Sequence, residues 1–335
     1  MFFTGRVICS SWAKPTSGRP AARTGCCPID AHERACRPEP VSPGEREFLC
    51  APPKNAADSA PLTRTSRQNP GGPARERTPP HPGAGDAERG TQPGTTKRTA
   101  LVTGANKGIG FETARQLAQQ SFTVWLGCRD QGRGEVAAKE LADDGDVRFV
   151  GLDVTDTESV RAAVAHISDN IGALDVLVNN AGVAIGEGEG LPSIVRLETI
   201  RRTFDVNFYG ALRVTQEFSP LVQRAQAGRI VNVSSMMGSI TTLVSPDNPL
   251  GQFPAFAYPA SKTLINALTG WFAVELNDTP IEINSVCPGY NATDLNNNLG
   301  TQHPSQGAKV VVRAATLPAD GPSGSFFDVN GPVGW

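Results

Sequence analysis

The chain has 335 residues, with 31 Lys and Arg against 33 Asp and Glu and a net charge of −2. This balance argues against a polyelectrolyte partner for the whole chain, so neither nucleic acid nor an acidic membrane surface is expected. No apolar run approaches the roughly 20 residues needed to cross a bilayer.

The composition changes near residue 97. Fifteen of the 27 prolines and five of the seven cysteines lie before it, with ten glycines and few aliphatic residues. Such a segment holds too little apolar surface to offset the entropy of ordering it, which predicts a disordered extension over 1–96. Its first 25 residues carry Arg and Ser and no acid until Asp30, a weak organelle-transit composition that Pro15, Gly18 and Pro20 interrupt. The alternatives are a plain extension, or residues translated from upstream of the true start. Cys26, Cys27, His32 and Cys36 match no common zinc spacing, so no metal is expected. The prolines, Pro79 and Pro80 included, do not repeat regularly, which disfavours a polyproline ligand. Cys128 and Cys287 are too few for a disulfide framework and fit strand ends as small hydrophobes. A reducing, cytoplasmic setting follows.

From residue 98 short apolar runs alternate with helical periods. Strands are predicted over 98–102, 122–126, 147–152, 174–178, 229–233, 281–286 and 324–328. Helices are predicted over 111–120, 135–141, 160–171, 197–226, 258–276 and 306–316. Strands apolar at nearly every position, alternating with helices, imply right-handed βαβ units and a parallel sheet covered on both faces. Residues 97–335 therefore suit one α/β domain, with its ligand site at the carboxyl ends of the strands.

After the first strand comes TGANKGIG, with Gly104, Asn106, Lys107, Gly108, Ile109 and Gly110. Glycines between a strand and a helix allow a tight turn and let a pyrophosphate approach the helix N-terminus. The second strand is followed by Cys128, Arg129 and Asp130. Cys128, read as the first position past the strand, cannot bind a ribose diol as a carboxylate does, whereas Arg129 can pair with a 2′-phosphate and Lys107 can add a second cation. NADP(H) is favoured over NAD(H). Asp130 argues the other way unless it is a charge at a helix N-terminus. Asp153 after the third strand is either an acceptor for an adenine amino group or an acid near a helix cap.

Tyr258 and Lys262, at i and i+4, share one helix face. A free phenol near pKa 10 exchanges protons poorly at neutrality, and a nearby ammonium is expected to lower it. Tyr258 is then a candidate general acid for ketone reduction and base for alcohol oxidation. Ser235 ends the fifth strand, where its hydroxyl can bond a substrate oxygen. Asn207 is either a satisfied core amide or part of a water relay.

The motifs TGANKGIG, LDVTD, NNAG, VNFYG, VNVSS, YPASK and CPGYNAT, in this order over about 98–335, resemble the classical short-chain dehydrogenase/reductase family. The glycine-loop lysine, the Cys-Arg pair and the ending near Phe326-Phe327 resemble its carbonyl-reductase-like, NADPH-using members. The resemblance implies a Rossmann-type, doubly wound sheet of seven strands in the order 3-2-1-4-5-6-7. It implies a tetrad in which Ser235 orients the carbonyl, Tyr258 passes the proton, Lys262 holds the nicotinamide ribose and tunes Tyr258, and Asn207 fixes a water. It further implies that Val154 neighbours Asp153 at the cofactor, that Asn180, Ala181 and Gly182 line the adenosine side, and that Pro288, Gly289 and Thr293 border the nicotinamide. A small carbonyl or alcohol substrate and a homodimer or homotetramer through the long helices are implied likewise. The stretch from Ser235 to Tyr258 is longer than the family's usual spacing. Its Pro-rich insert, around 242–256, is expected to form a loop over the substrate pocket. A non-catalytic, cofactor-sensing or scaffold protein on the same fold is the alternative.

Overall fold

A computed structural model describes residues 97–335 apart from 249 and 252. The readings made for 1–96 lie outside the described residues. Seven strands form one parallel sheet: β1 (Thr99–Thr103), β2 (Thr123–Cys128), β3 (Val147–Gly151), β4 (Val176–Asn179), β5 (Arg229–Val233), β6 (Glu282–Val286) and β7 (Ser325–Phe327). Their order is β3-β2-β1-β4-β5-β6-β7, as the family resemblance implies.

Side chains on β1 show why the strands read as continuous apolar runs. Leu101 packs on one face with Val160, Ile167, Val214 and Phe272. Its neighbours Ala100 and Val102 pack on the other with Phe111, Leu117, Ala137 and Val310. Both faces are dry, so no polar alternation survives. The first face is covered by α3 (Thr157–Ser168), α5 (Ala211–Val222) and α7 (Ala257–Glu275), the second by α1 (Gly108–Gln119), α2 (Gln131–Glu140) and α8 (Pro304–Ala315).

Three differences from the sequence reading have local causes. Helices α2 and α3 start three to four residues earlier than the apolar period suggests, because Asp130 and Asp156 cap them by accepting from Arg133 N and Glu158 N. Asp130 is thus a capping charge at the helix N-terminus. The long helix expected over 197–226 is instead α4 (Leu197–Phe204), a π turn over Asp205–Gly210 and α5, which ends at Val222. Gly210 lies so close to Val154 that an added Cβ would meet Val154 Cγ2 at 2.8 Å. Finally, Cys128 closes β2 and is buried, so Arg129 is the first residue past the strand. A short helix, α6 (Ile240–Leu243), leads into the insert. The C-terminus ties it down: Thr241 N and Oγ1 donate to Trp335 O at 2.7 and 2.6 Å.

Candidate active site

The phosphate loop leaves β1 at Thr103 and enters α1 at Gly108. Gly104 and Gly108 have φ of 63° and 60°, a region that favours glycine. A Cβ on Gly104 would meet Ala181 Cα at 2.8 Å, and one on Gly110 would collide with Asn180 Nδ2. The loop after β4 therefore packs directly on the glycine loop. Asn180 fixes this contact by donating from Nδ2 to Thr103 O and Gly104 O, while Thr103 Oγ1 accepts from Asn180 N and Ala181 N. Lys107 stands at the N-cap of α1 but supplies no side-chain cap, and the first turn holds no acid. Among the described residues, no carboxylate accepts from the first backbone N–H groups of α1, which fits a dinucleotide pyrophosphate. Asn106 is half-buried in the turn, and Ile109 packs on the core beneath it.

At the end of β2, Arg129 is 76% exposed with its Nε 3.9 Å from Asp153 Oδ2. An exposed guanidinium at the carboxyl end of β2 is chemically suited to a phosphate. Asp153 Oδ1 accepts from Thr155 N and Oγ1 at 2.9 and 2.7 Å, so one of its oxygens shapes the turn and the other stays near Arg129. Lys107 differs from expectation: its Nζ pairs with Asp294 Oδ2 at 2.6 Å, across from the loop after β6. Thr293 lies beside it, its Cγ2 3.3 Å from where a Gly108 Cβ would stand. Pro288 O and Gly289 O both accept from Asn291 Nδ2, and Gly289 has φ of 79°.

Tyr258 lies in the first turn of α7 and Lys262 one turn on. Ser234 and Ser235 part company at the end of β5. Ser234 is buried, with Oγ donating to Lys262 O. Ser235 is half-buried and stands beside the phenol. Burial pushes the Tyr258 phenol up to about 12, although the neighbouring Ser235 hydroxyl acts to lower it. This overturns the expected direction. Lys262 Nζ donates to Val233 O at 2.8 Å and stands 5.6 Å from the centroid of the Tyr258 ring. Burial pushes the lysine itself down to about 8.

Asn207 is buried, and its amide is committed to neighbours. Nδ2 donates to Val183 O and Ser261 Oγ, each at 2.9 Å, and Oδ1 accepts from Val183 N at 2.8 Å. Ser261 Oγ donates onward to Tyr258 O at 2.7 Å. The π turn, the loop after β4 and the first turn of α7 are thereby one hydrogen-bonded unit. Gly182 belongs to this end: a Cβ there would lie 3.4 Å from Asn207 Oδ1 and 3.7 Å from Lys262 Nζ.

The structure brings Asn207, Ser235, Tyr258, Lys262 and Gly182 together at the ends of β4 and β5, with the glycine loop beside them at the end of β1. Arg129 and Asp153 stand apart at the ends of β2 and β3. Sequence reasoning missed Glu189, Ser261, Asp294 and the Val233 carbonyl. One signal was available: Phe256, just before α7, cannot cap a helix, so a cap had to come from elsewhere.

The family model described as short chain dehydrogenase matches residues 98–304. The (+)-neomenthol dehydrogenase of Capsicum annuum is 33% identical over 303 residues, covering 70% of this chain and 96% of its own. Carbonyl reductase [NADPH] 1 of Mus musculus is 34% identical over 271 residues, covering 69% and 96%. Among solved structures, the NADPH-bound carbonyl reductase from chicken fatty liver superposes with a TM-score of 0.64 at 27% identity, covering 71% of this chain and 99% of that one.

Proposed function

The chain belongs to the short-chain dehydrogenase family, and on that footing we propose that it is an NADPH-dependent reductase of ketones or aldehydes, reversible toward the alcohol. It is an NAD(P)-dependent oxidoreductase of carbonyl and alcohol groups. The observation that carries the finer reading is Tyr258 beside Ser235, with Lys262 one turn on, at the sheet edge that also holds an uncapped glycine-loop helix.

The nicotinamide, when bound, supplies the hydride. Ser235 Oγ orients the substrate carbonyl. Tyr258 hands its proton to the oxygen as negative charge develops there. A phenol pushed up to about 12 is protonated near neutrality, which suits it to donate rather than accept. Lys262 supplies positive charge below its pKa of about 8. Asn207 acts as a strut, since both of its amide hydrogens hold Val183 and Ser261. Gly104, Gly108 and Gly110 admit the pyrophosphate, and Arg129 recognises the 2′-phosphate. Mouse carbonyl reductase [NADPH] 1 supports the cofactor choice by its name. The loops after β4, β5 and β6 expose Ile194, Val244 and Leu299, apolar side chains compatible with an apolar substrate.

Turnover should be screened with NADPH and NADH against ketones, aldehydes, quinones and steroids. Oxidation of NADPH matched by alcohol formation is expected. Dinucleotide binding with no turnover across the panel would instead favour the cofactor-sensing alternative. Arg129→Ala should raise the KM for NADPH much more than that for NADH, whereas equal effects would argue against the 2′-phosphate contact.

A further inference from the structure

Helix α7 carries the phenol in its first turn, where a helix leaves its N–H groups without intrahelical partners. Phe256 occupies the N-cap position and provides no side-chain cap. Pro259 has no N–H to satisfy, and Ala260 N donates to Phe256 O at 2.9 Å. The remaining three donors all meet one carboxylate. Glu189 Oε1 accepts from Phe256 N and Ala257 N at 2.9 and 3.0 Å, and Oε2 accepts from Tyr258 N at 3.2 Å.

Glu189 comes from the loop between β4 and α4, 67 to 69 residues away. That loop is itself held. Oε1 also accepts from Gly190 N, Thr199 Oγ1 donates to Glu187 O at 2.7 Å, and Arg196 N donates to Gly188 O at 2.9 Å. Gly188 has φ of 69°, and a Cβ there would stand 2.7 Å from Thr199 Oγ1. Burial pushes the Glu189 carboxyl up, but the N–H groups of Phe256, Ala257, Gly190 and Tyr258 outweigh it and hold the group below the ordinary range. It is therefore an anion near neutrality, at the positive end of α7.

We infer that Glu189 is a positioning residue for Tyr258, capping α7 from a distant loop and fixing the phenol against Ser235. The inference rests on the reading of Tyr258 as proton donor. Its consequence is selective. Lys262 lies a turn deeper, is anchored by Val233 O and is backed by Gly238, whose added Cβ would meet Lys262 C at 2.7 Å. Loosening the first turn would release Tyr258 and leave Lys262 in place.

The test compares Glu189→Gln, Glu189→Asp and Tyr258→Phe with the wild type, scaling rates to NADPH-binding sites counted by fluorescence titration. In Glu189→Gln, kcat is expected to fall about 10- to 100-fold, the scale of small misplacements of a reacting group. NADPH affinity should stay nearly unchanged, and the solvent deuterium isotope effect on kcat should grow as proton transfer becomes limiting. Unchanged kcat per site with only a lower melting temperature would overturn the inference, leaving Glu189 a purely structural cap. Loss of NADPH affinity in step with kcat would overturn it too. If Glu189→Gln does not fold, Glu189→Asp, which keeps the charge but shortens the reach, is read by the same criteria. Wild-type turnover in Tyr258→Phe would sink the reading of Tyr258 itself. An inactive Tyr258→Phe with a fully active Glu189→Gln would sink only the role of Glu189.

Discussion

Burial moves Tyr258 and Lys262 in opposite directions because it penalises the charged form of each. The phenol goes up to about 12 and the ammonium down to about 8. Their spacing in the sequence suggested that the lysine would acidify the phenol, but spacing does not report desolvation or the Val233 carbonyl that takes up Nζ. The lysine is protonated below about 8 and neutral above it. Carbonyl reduction should therefore weaken as pH rises through that value, and kcat against pH with NADPH saturating checks this. A rate that holds flat to pH 10 would deny Lys262 its part. Residue identities at the site were legible from motifs because Tyr258, Lys262 and Ser235 bear the chemistry themselves. Glu189 was not: it sits in a glycine-rich loop beside another acid, Glu187, and only the folded chain shows which of them reaches α7.

At the scale of elements, strands were read well because burial on both faces imposes apolar runs, and all seven strands lie within one or two residues of their expected bounds. Helix starts were read late where a capping Asp precedes the first apolar residue. The π turn escaped the reading because Asn207 and Gly210 keep a helical rhythm, and Val154, which packs against Gly210, lies more than 50 residues away. Contact between elements also governs the 3₁₀ turn at Met236–Gly238, which packs on α7 at Lys262. Gly238→Ala would force a Cβ within 2.8 Å of Lys262 Cβ. A loss of about 1–3 kcal/mol is expected from such overpacking, measurable by urea unfolding, with a fall in kcat as Lys262 shifts.

For the whole molecule, the fold places each cluster by topology. The strand order sets β4 between β1 and β5, so the glycine loop, the loop after β4 and the Ser235 end follow neighbouring strands at one edge. Relatives match about 70% of this chain and nearly all of their own length, and the family match begins at residue 98. A chain starting at residue 97 should therefore keep both turnover and melting temperature. A large loss of either would give 1–96 a role in the enzyme. Substrate identity was not legible, because neither the insert after β5 nor residues 290–303 carries a readable code for it.

The central claim is that Tyr258 donates the proton in NADPH-dependent carbonyl reduction. Single-turnover kinetics of Tyr258→Phe, with NADPH binding followed by fluorescence, tests it most directly. The expected result is a rate lower by roughly 10²–10⁴-fold with NADPH affinity preserved; wild-type rates in that variant would contradict the account.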